Sequence, residues 1–163
     1  MTVHGRVVVG VHDGDSATAA LRRAALEARR SRRPLLVVHA WGPPEGEALH
    51  RAAPCPPLAA EWRARAGAVF ADLLEDSREH LAGLEWEPLL VRADPAYALT
   101  RLAGPDDLLV IGGGGRGRLA RLLRGRVRRA TLAGARCPVL TVARPALTLA
   151  DRADLYLAHR LAA

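Results

Sequence analysis

Five short apolar runs recur along the chain, and each is separated from the next by a stretch of helical composition. They span 6–11 (RVVVGV), 35–40 (LLVVHA), 85–91 (EWEPLLV), 106–111 (DDLLVI) and 137–142 (CPVLTV). Runs of this length without sustained polar alternation fit strands buried on both faces, the condition of a parallel sheet. The third run alternates at first and contains Pro88, which has no N–H for a ladder and so belongs near an edge. The intervening segments 17–30, 58–81, 95–103 and 126–133 read as helices. Strands alternating with helices imply a parallel sheet covered on both faces. The expected fold class is α/β: a single doubly wound five-stranded parallel sheet, a Rossmann-like or flavodoxin-like three-layer sandwich. Either order opens a ligand crevice at the carboxyl ends of the strands that flank the switch point. Here those ends are Val11-His12-Asp13 and Ile111-Gly112.

Local signals refine this outline. Ser16 is placed to cap a helix over 17–30. Leu21, Ala24, Ala25 and Ala28 form the face of that helix that meets the sheet, and Arg22, Arg23, Arg29 and Arg30 form a solvated face. The segment 41–57 holds five prolines and two glycines, which reads as a loop able to act as a flap. The helix over 58–81 carries Trp62, Val69, Leu73, Leu74 and Leu81 near one stripe and ends at Gly83. Asp94 is placed to cap a helix whose first residue is Pro95. Residues 146–163 read as an added amphipathic helix.

The stretch 111–129 (IGGGGRGRLARLLRGRVRR) stands apart. It contains six of the fifteen glycines and seven arginines, with no acidic residue. A strand that feeds a glycine loop and then a helix offers backbone N–H groups to a phosphate. The net charge is +7, and all 24 basic residues are arginine. Lysine, asparagine and glutamine are absent, a bias that fits a GC-rich genome, so the distribution of arginine carries more weight than its number. Between Asp107 and Asp151 there is no acidic residue and there are nine arginines, so this region attracts an anion.

Other chemistry is excluded by what the pattern lacks. A chain of 163 residues with 50% apolar content is long enough for one domain with a full core. No apolar run approaches the length of a membrane span, and residues 1–11 do not read as a signal peptide. The expected location is cytoplasmic. Cys55 and Cys137 match no zinc or redox spacing. No Ser-His-Asp set, carboxylate pair or metal set can be assembled from spacing, and the Walker lysine pattern is missing. His39 reads as a core or crevice histidine. Trp41, Trp62 and Trp86 are dispersed and read as packing residues.

Four stretches resemble the universal stress protein family over roughly residues 5–143. They are VVVGVHDGDSATAALRRAALEARR, LLVVHAW, RADPAYAL (with Ala93 in the place of a glycine) and IGGGGRGRLARLLRGRVRRATLAGARCPVLTV. The last keeps the G-x2-G-x9-G spacing as Gly112, Gly115 and Gly125. The resemblance implies a universal stress domain over 1–145 followed by a helical extension over 146–163. It also implies a site for ATP or another adenine nucleotide, with Mg2+ only if ATP is bound. By resemblance that site takes in Gly10, Val11, His12 and Asp13 at the end of the first strand and Ala40 at the end of the second. Ile111, Gly112, Gly115 and Arg116 would belong to the glycine loop, and Gly125, Arg126 and Val127 to the start of the next helix.

The chain departs from the family pattern at two of these positions. Arg126 stands where a Ser or Thr would cap the helix and donate to phosphate; arginine cannot cap, yet it donates bidentately to phosphate. His12 stands where an Asp is usual. The resemblance implies a stress-response or signalling protein without an assigned catalytic residue, and a homodimer built through the last strand, here Pro138 to Ala143. The readings left open beside it are a nucleotide-independent interaction protein on the same fold, a weak nucleotide hydrolase, and a polyanion binder. Nucleic acid and membrane are not expected partners.

Overall fold

The computed structural model describes residues 5–12, 15–113 and 118–143. Its strands are β1 (Val7–Val11), β2 (Leu35–Trp41), β3 (Trp86–Arg92), β4 (Leu108–Gly112) and β5 (Val139–Val142). Its helices are α1 (Asp15–Ser31), α2 (Glu47–Ala52), α3 (Pro56–Asp76), α4 (Arg78–Leu81), α5 (Pro95–Leu102) and α6 (Arg118–Gly134). The strands form one parallel sheet in the order β3-β2-β1-β4-β5. This is the Rossmann-like alternative, and β3 is an edge strand as Pro88 requires.

The period of two along each strand divides the core. Val7, Val9, Val11, Leu35, Val37 and Val110 point to the face covered by α1 and α3. Val8, Leu36, Val38, Leu109 and Ile111 point to the opposite face, where Leu99 and Ala103 pack. Leu21, Ala24, Ala25 and Ala28 of α1 are all buried, because small residues let the helix axis approach the sheet. Full burial of Leu21, Leu35 and Leu109 contributes about 1.5–3 kcal/mol for each side chain.

The amino ends of β1 and β4 are held by Asp107, which is 7% exposed. Its carboxylate accepts from the Arg6 amide at 2.6 Å and the Gly104 amide at 2.9 Å, with the Arg6 guanidinium at 3.5 Å. The same guanidinium donates to the Leu102 carbonyl at 3.0 Å, which ties the end of α5 to this corner.

Several expected boundaries move. Ser16 is helical in the first turn of α1 and does not precede it. The segment 41–57 is not wholly loop, because Glu47–Ala52 folds as α2. The helix expected over 58–81 is broken at Ser77 into α3 and α4. Arg29 is not merely solvated: its guanidinium donates to the His80 and Ala82 carbonyls at 3.0 and 2.9 Å, satisfying carbonyls that a helix end leaves open. α6 starts at Arg118, eight residues before the expected Arg126, since Leu, Ala and Arg are strong helix formers and one glycine costs only about 1 kcal/mol. The Asp94 cap is as expected, with its carboxylate accepting from the Tyr97 amide at 3.0 Å. Asp13, Gly115, Arg116 and the extension 146–163 lie outside the described residues. No described helix is long and apolar enough to cross a membrane.

The end of α1 offers a direct stability test. Arg32 has φ 53° and the Arg33 amide donates to the Ala28 carbonyl at 3.0 Å, so Arg32 occupies the left-handed position that favours glycine. Arg32→Gly is expected to raise stability by about 0.5–1 kcal/mol in urea denaturation. Gly5→Ala is expected to do the reverse, because the added Cβ would run into the Asp106 carbonyl, which is backbone and cannot retreat cheaply.

Candidate functional site

β1 pairs with β2 on one side and β4 on the other. Their connections leave on opposite faces of the sheet, so the carboxyl ends of β1 and β4 part and open a crevice. Gly10 is aligned with Val38 of β2 and Ile111 of β4, and this row of three residues forms its floor. The crevice measures about 180 Å³ and has Ser16 and Ala17 of α1, Pro95 and Leu99 of α5, and Val127 and Arg128 of α6 along its walls.

The two glycines at the strand ends set how closely the walls approach. A Cβ on Gly10 would meet Leu99 Cδ1 at 2.6 Å. One on Gly112 would meet the Ser16 carbonyl oxygen at 2.9 Å. The Gly113 amide donates to the Val142 carbonyl at 2.7 Å, so that donor is committed to the sheet edge.

The structure brings Gly10, Val11, His12, Ala40, Ile111, Gly112 and Val127 together around this crevice. It does not bring in two of the expected residues. Gly125 and Arg126 sit inside α6 instead of at its start, because the helix begins earlier. A Cβ on Gly125 would meet nothing within 4 Å, and Arg126 is exposed and absent from the crevice wall. Arg128, two residues on, is the arginine that reaches it. The sequence reading also passed over Ser16, Ala17, Val38, Pro95 and Leu99. Val38 carried a usable signal, since it lies two residues before Ala40 and therefore shares its side of the strand.

A larger groove of about 580 Å³ continues from the crevice over the ends of β2 and β3, sharing His12, Ala40 and Pro95 with it. At this junction the His12 and His39 rings stack at 5.8 Å, and His39 stacks on Phe70 at 5.4 Å. His39 is 4% exposed and lines the groove, so it belongs to the core and the groove wall together and not to the crevice. One end of the groove is closed by α2, whose Glu47 carboxylate accepts from Arg92 of β3 at 2.8 and 3.2 Å. Arg92 in turn lies 5.6 Å from the Trp41 ring centroid. Among the described residues no group of three or more His, Cys, Asp or Glu could hold a metal ion.

An open parallel sheet whose crevice falls where the strand order reverses defines a doubly wound α/β protein with a ligand-sized opening at its switch point. Within that class the chain belongs to the universal stress protein family, whose family model matches residues 4–143. Among solved structures, a universal stress protein in complex with cAMP shares 25% identity, covering 86% of this chain and 97% of its own, with a TM-score of 0.61. The universal stress protein of Archaeoglobus fulgidus in complex with dAMP shares 26% identity over 86% of this chain and 99% of its own, with a TM-score of 0.56. UspA of Lactobacillus plantarum, at 20% identity over 85% of this chain and 97% of its own, has the same fold with a TM-score of 0.68. No curated protein matches the chain.

The bond between α2 and β3 is pH-dependent in a defined direction. The hydrogen bond from Arg92 holds the Glu47 carboxyl below the usual carboxylate range, and burial opposes it. A depressed folded-state pKa gives stability that is present above the unfolded value and lost as pH falls through the folded one. Because the pair is exposed, its effect is small and screened by salt. Glu47→Gln is expected to lower the thermal midpoint slightly at neutral pH and low salt. The gap from the parent should shrink toward zero in strong acid, and a gap independent of pH would contradict this account.

Proposed function

We propose that this protein holds an adenine nucleotide in the crevice between the ends of β1 and β4, and that a partner reads the occupied state in a stress-response or signalling role. The crevice itself carries this reading: its lining is mainly apolar, with His12, Ser16 and Arg128 as its few polar side chains, as in small-molecule sites. Val38, Ala40, Leu99, Ile111 and Val127 would hold the base. His12 would offer a polar ring at the edge, and Arg128 would meet phosphate. Two relatives of the same family, at 25% and 26% identity, are complexes with cAMP and dAMP, and this supports a nucleoside monophosphate as the ligand. A triphosphate would bring its own Mg2+.

The same reading has the protein acting in the cytoplasm as a homodimer joined through Pro138 to Ala143, with residues 1–145 as the working domain. β5 is an edge strand of the sheet, and an unpaired edge favours such pairing. The nucleotide-independent interaction protein is the competing reading. It is favoured by His12 in the usual Asp position and by the commitment of the Gly113 amide to Val142.

Calorimetric titration with AMP, cAMP and ATP separates the two. AMP and cAMP are expected to bind. Val127→Trp, which fills the crevice, is expected to weaken both by about a hundredfold, roughly 2.7 kcal/mol. Arg126→Ser is expected to change little, since Arg126 stands outside the crevice, while Arg128→Ala weakens AMP. Absence of heat with all three nucleotides favours the interaction protein.

A further inference from the structure

Residues 62–69 of α3 carry an apolar stripe that the protein covers only in part. Trp62, Ala66 and Val69 fall on one side of the helix at i, i+4 and i+7. α3 reaches the core through Phe70 and Leu73 instead, which are its buried residues. Val69 is 36% exposed. The stripe lines the groove of about 580 Å³ over the ends of β2 and β3, together with Trp41 and His39.

Both indoles in this groove are fixed before anything enters it. The Trp62 ring meets the buried His50 ring edge-on at 5.6 Å and 65°. The Trp41 ring lies under the Arg92 guanidinium, which the Glu47 carboxylate holds in turn. Rings that are already ordered lose little freedom when a ligand stacks on them.

The charges around the groove are unevenly spent. Glu47 is committed to Arg92, and Asp94 is committed to the Tyr97 amide as a helix cap. Arg65 lines the groove and makes no hydrogen bond or ion pair among the described residues. An unengaged guanidinium beside two fixed indoles selects a flat ring that carries an anion: the ring stacks on the indole faces, and the anion takes the bidentate donors.

We propose that this groove is a second small-molecule site, distinct from the nucleotide crevice, whose ligand is a planar aromatic carboxylate. The proposal does not depend on the nucleotide reading. The two openings share His12, Ala40 and Pro95, but Trp41, Trp62 and Arg65 belong to the groove alone.

The test is calorimetric titration of the full chain with 2-naphthoate, with the neutral 2-naphthylmethanol as the control for charge. 2-Naphthoate is expected to bind. Arg65→Ala should weaken it by about tenfold while leaving 2-naphthylmethanol unchanged. Ala66→Trp fills the groove from a half-buried position on α3 without removing a core residue. It should abolish 2-naphthoate binding while the circular dichroism spectrum and the AMP titration stay as in the parent. Three results overturn the proposal: no binding of 2-naphthoate at millimolar concentration, undiminished binding by Ala66→Trp, or displacement of 2-naphthoate by AMP. Failure of AMP alone to bind overturns the nucleotide reading and leaves this one standing.

Discussion

The carboxyl end of the sheet depends on how closely helices can approach the β1–β4 pair from both faces. Gly10 admits Leu99 of α5 from one side, and Gly112 admits the first turn of α1 from the other. A methyl group at either position would push a helix outward and change the shape of the crevice that lies between them. The opposite end of the same strand pair is bound by Asp107, which collects two backbone amides and a guanidinium. One end of the sheet is thus fixed by polar bonds and the other is left open by small residues. The crevice is the space created when two crossovers leave in opposite directions from strands that are clamped at their starts.

Much of this frame was legible in the residues. The β-branched runs located every strand to within two residues, and Pro88 assigned β3 to an edge. The buried stripe of α1 was visible in Leu21, Ala24, Ala25 and Ala28. The Asp94-Pro95 cap was readable because an N-cap acceptor followed by proline has few other uses. Gly10, His12, Ala40, Gly112 and Val127 were named through the family resemblance, and the parallel register brings these positions to one end of the sheet.

The remainder was hidden for physical reasons. Helix α2 lies in a segment whose prolines flank it and do not interrupt it, and its anchor is Arg92, forty-five residues away. No local signal reports such a partner. The glycine motif suggested a helix starting at Gly125, but seven residues of high helical propensity precede that glycine and outweigh it. The start of α6 moved by two turns, and with it Arg128 replaced Arg126 on the crevice wall. The groove beside α3 was missed because Trp62 and Val69 have the spacing of a core stripe. Only the tertiary structure reveals that the sheet is met by the neighbouring stripe of Phe70 and Leu73.

The chain of contacts from Glu47 through Arg92 to Trp41 joins three separate segments by charge and ring face alone. All three groups are at the surface or near it, so dissolved ions compete with every bond in the relay. The segment that borders the groove is therefore tuned by the medium as well as by its own sequence. The ion pair joins α2 to the sheet edge, and rising ionic strength weakens that bond slightly without disturbing the core beneath it. A single arginine, shared between a carboxylate and an indole, carries this dependence.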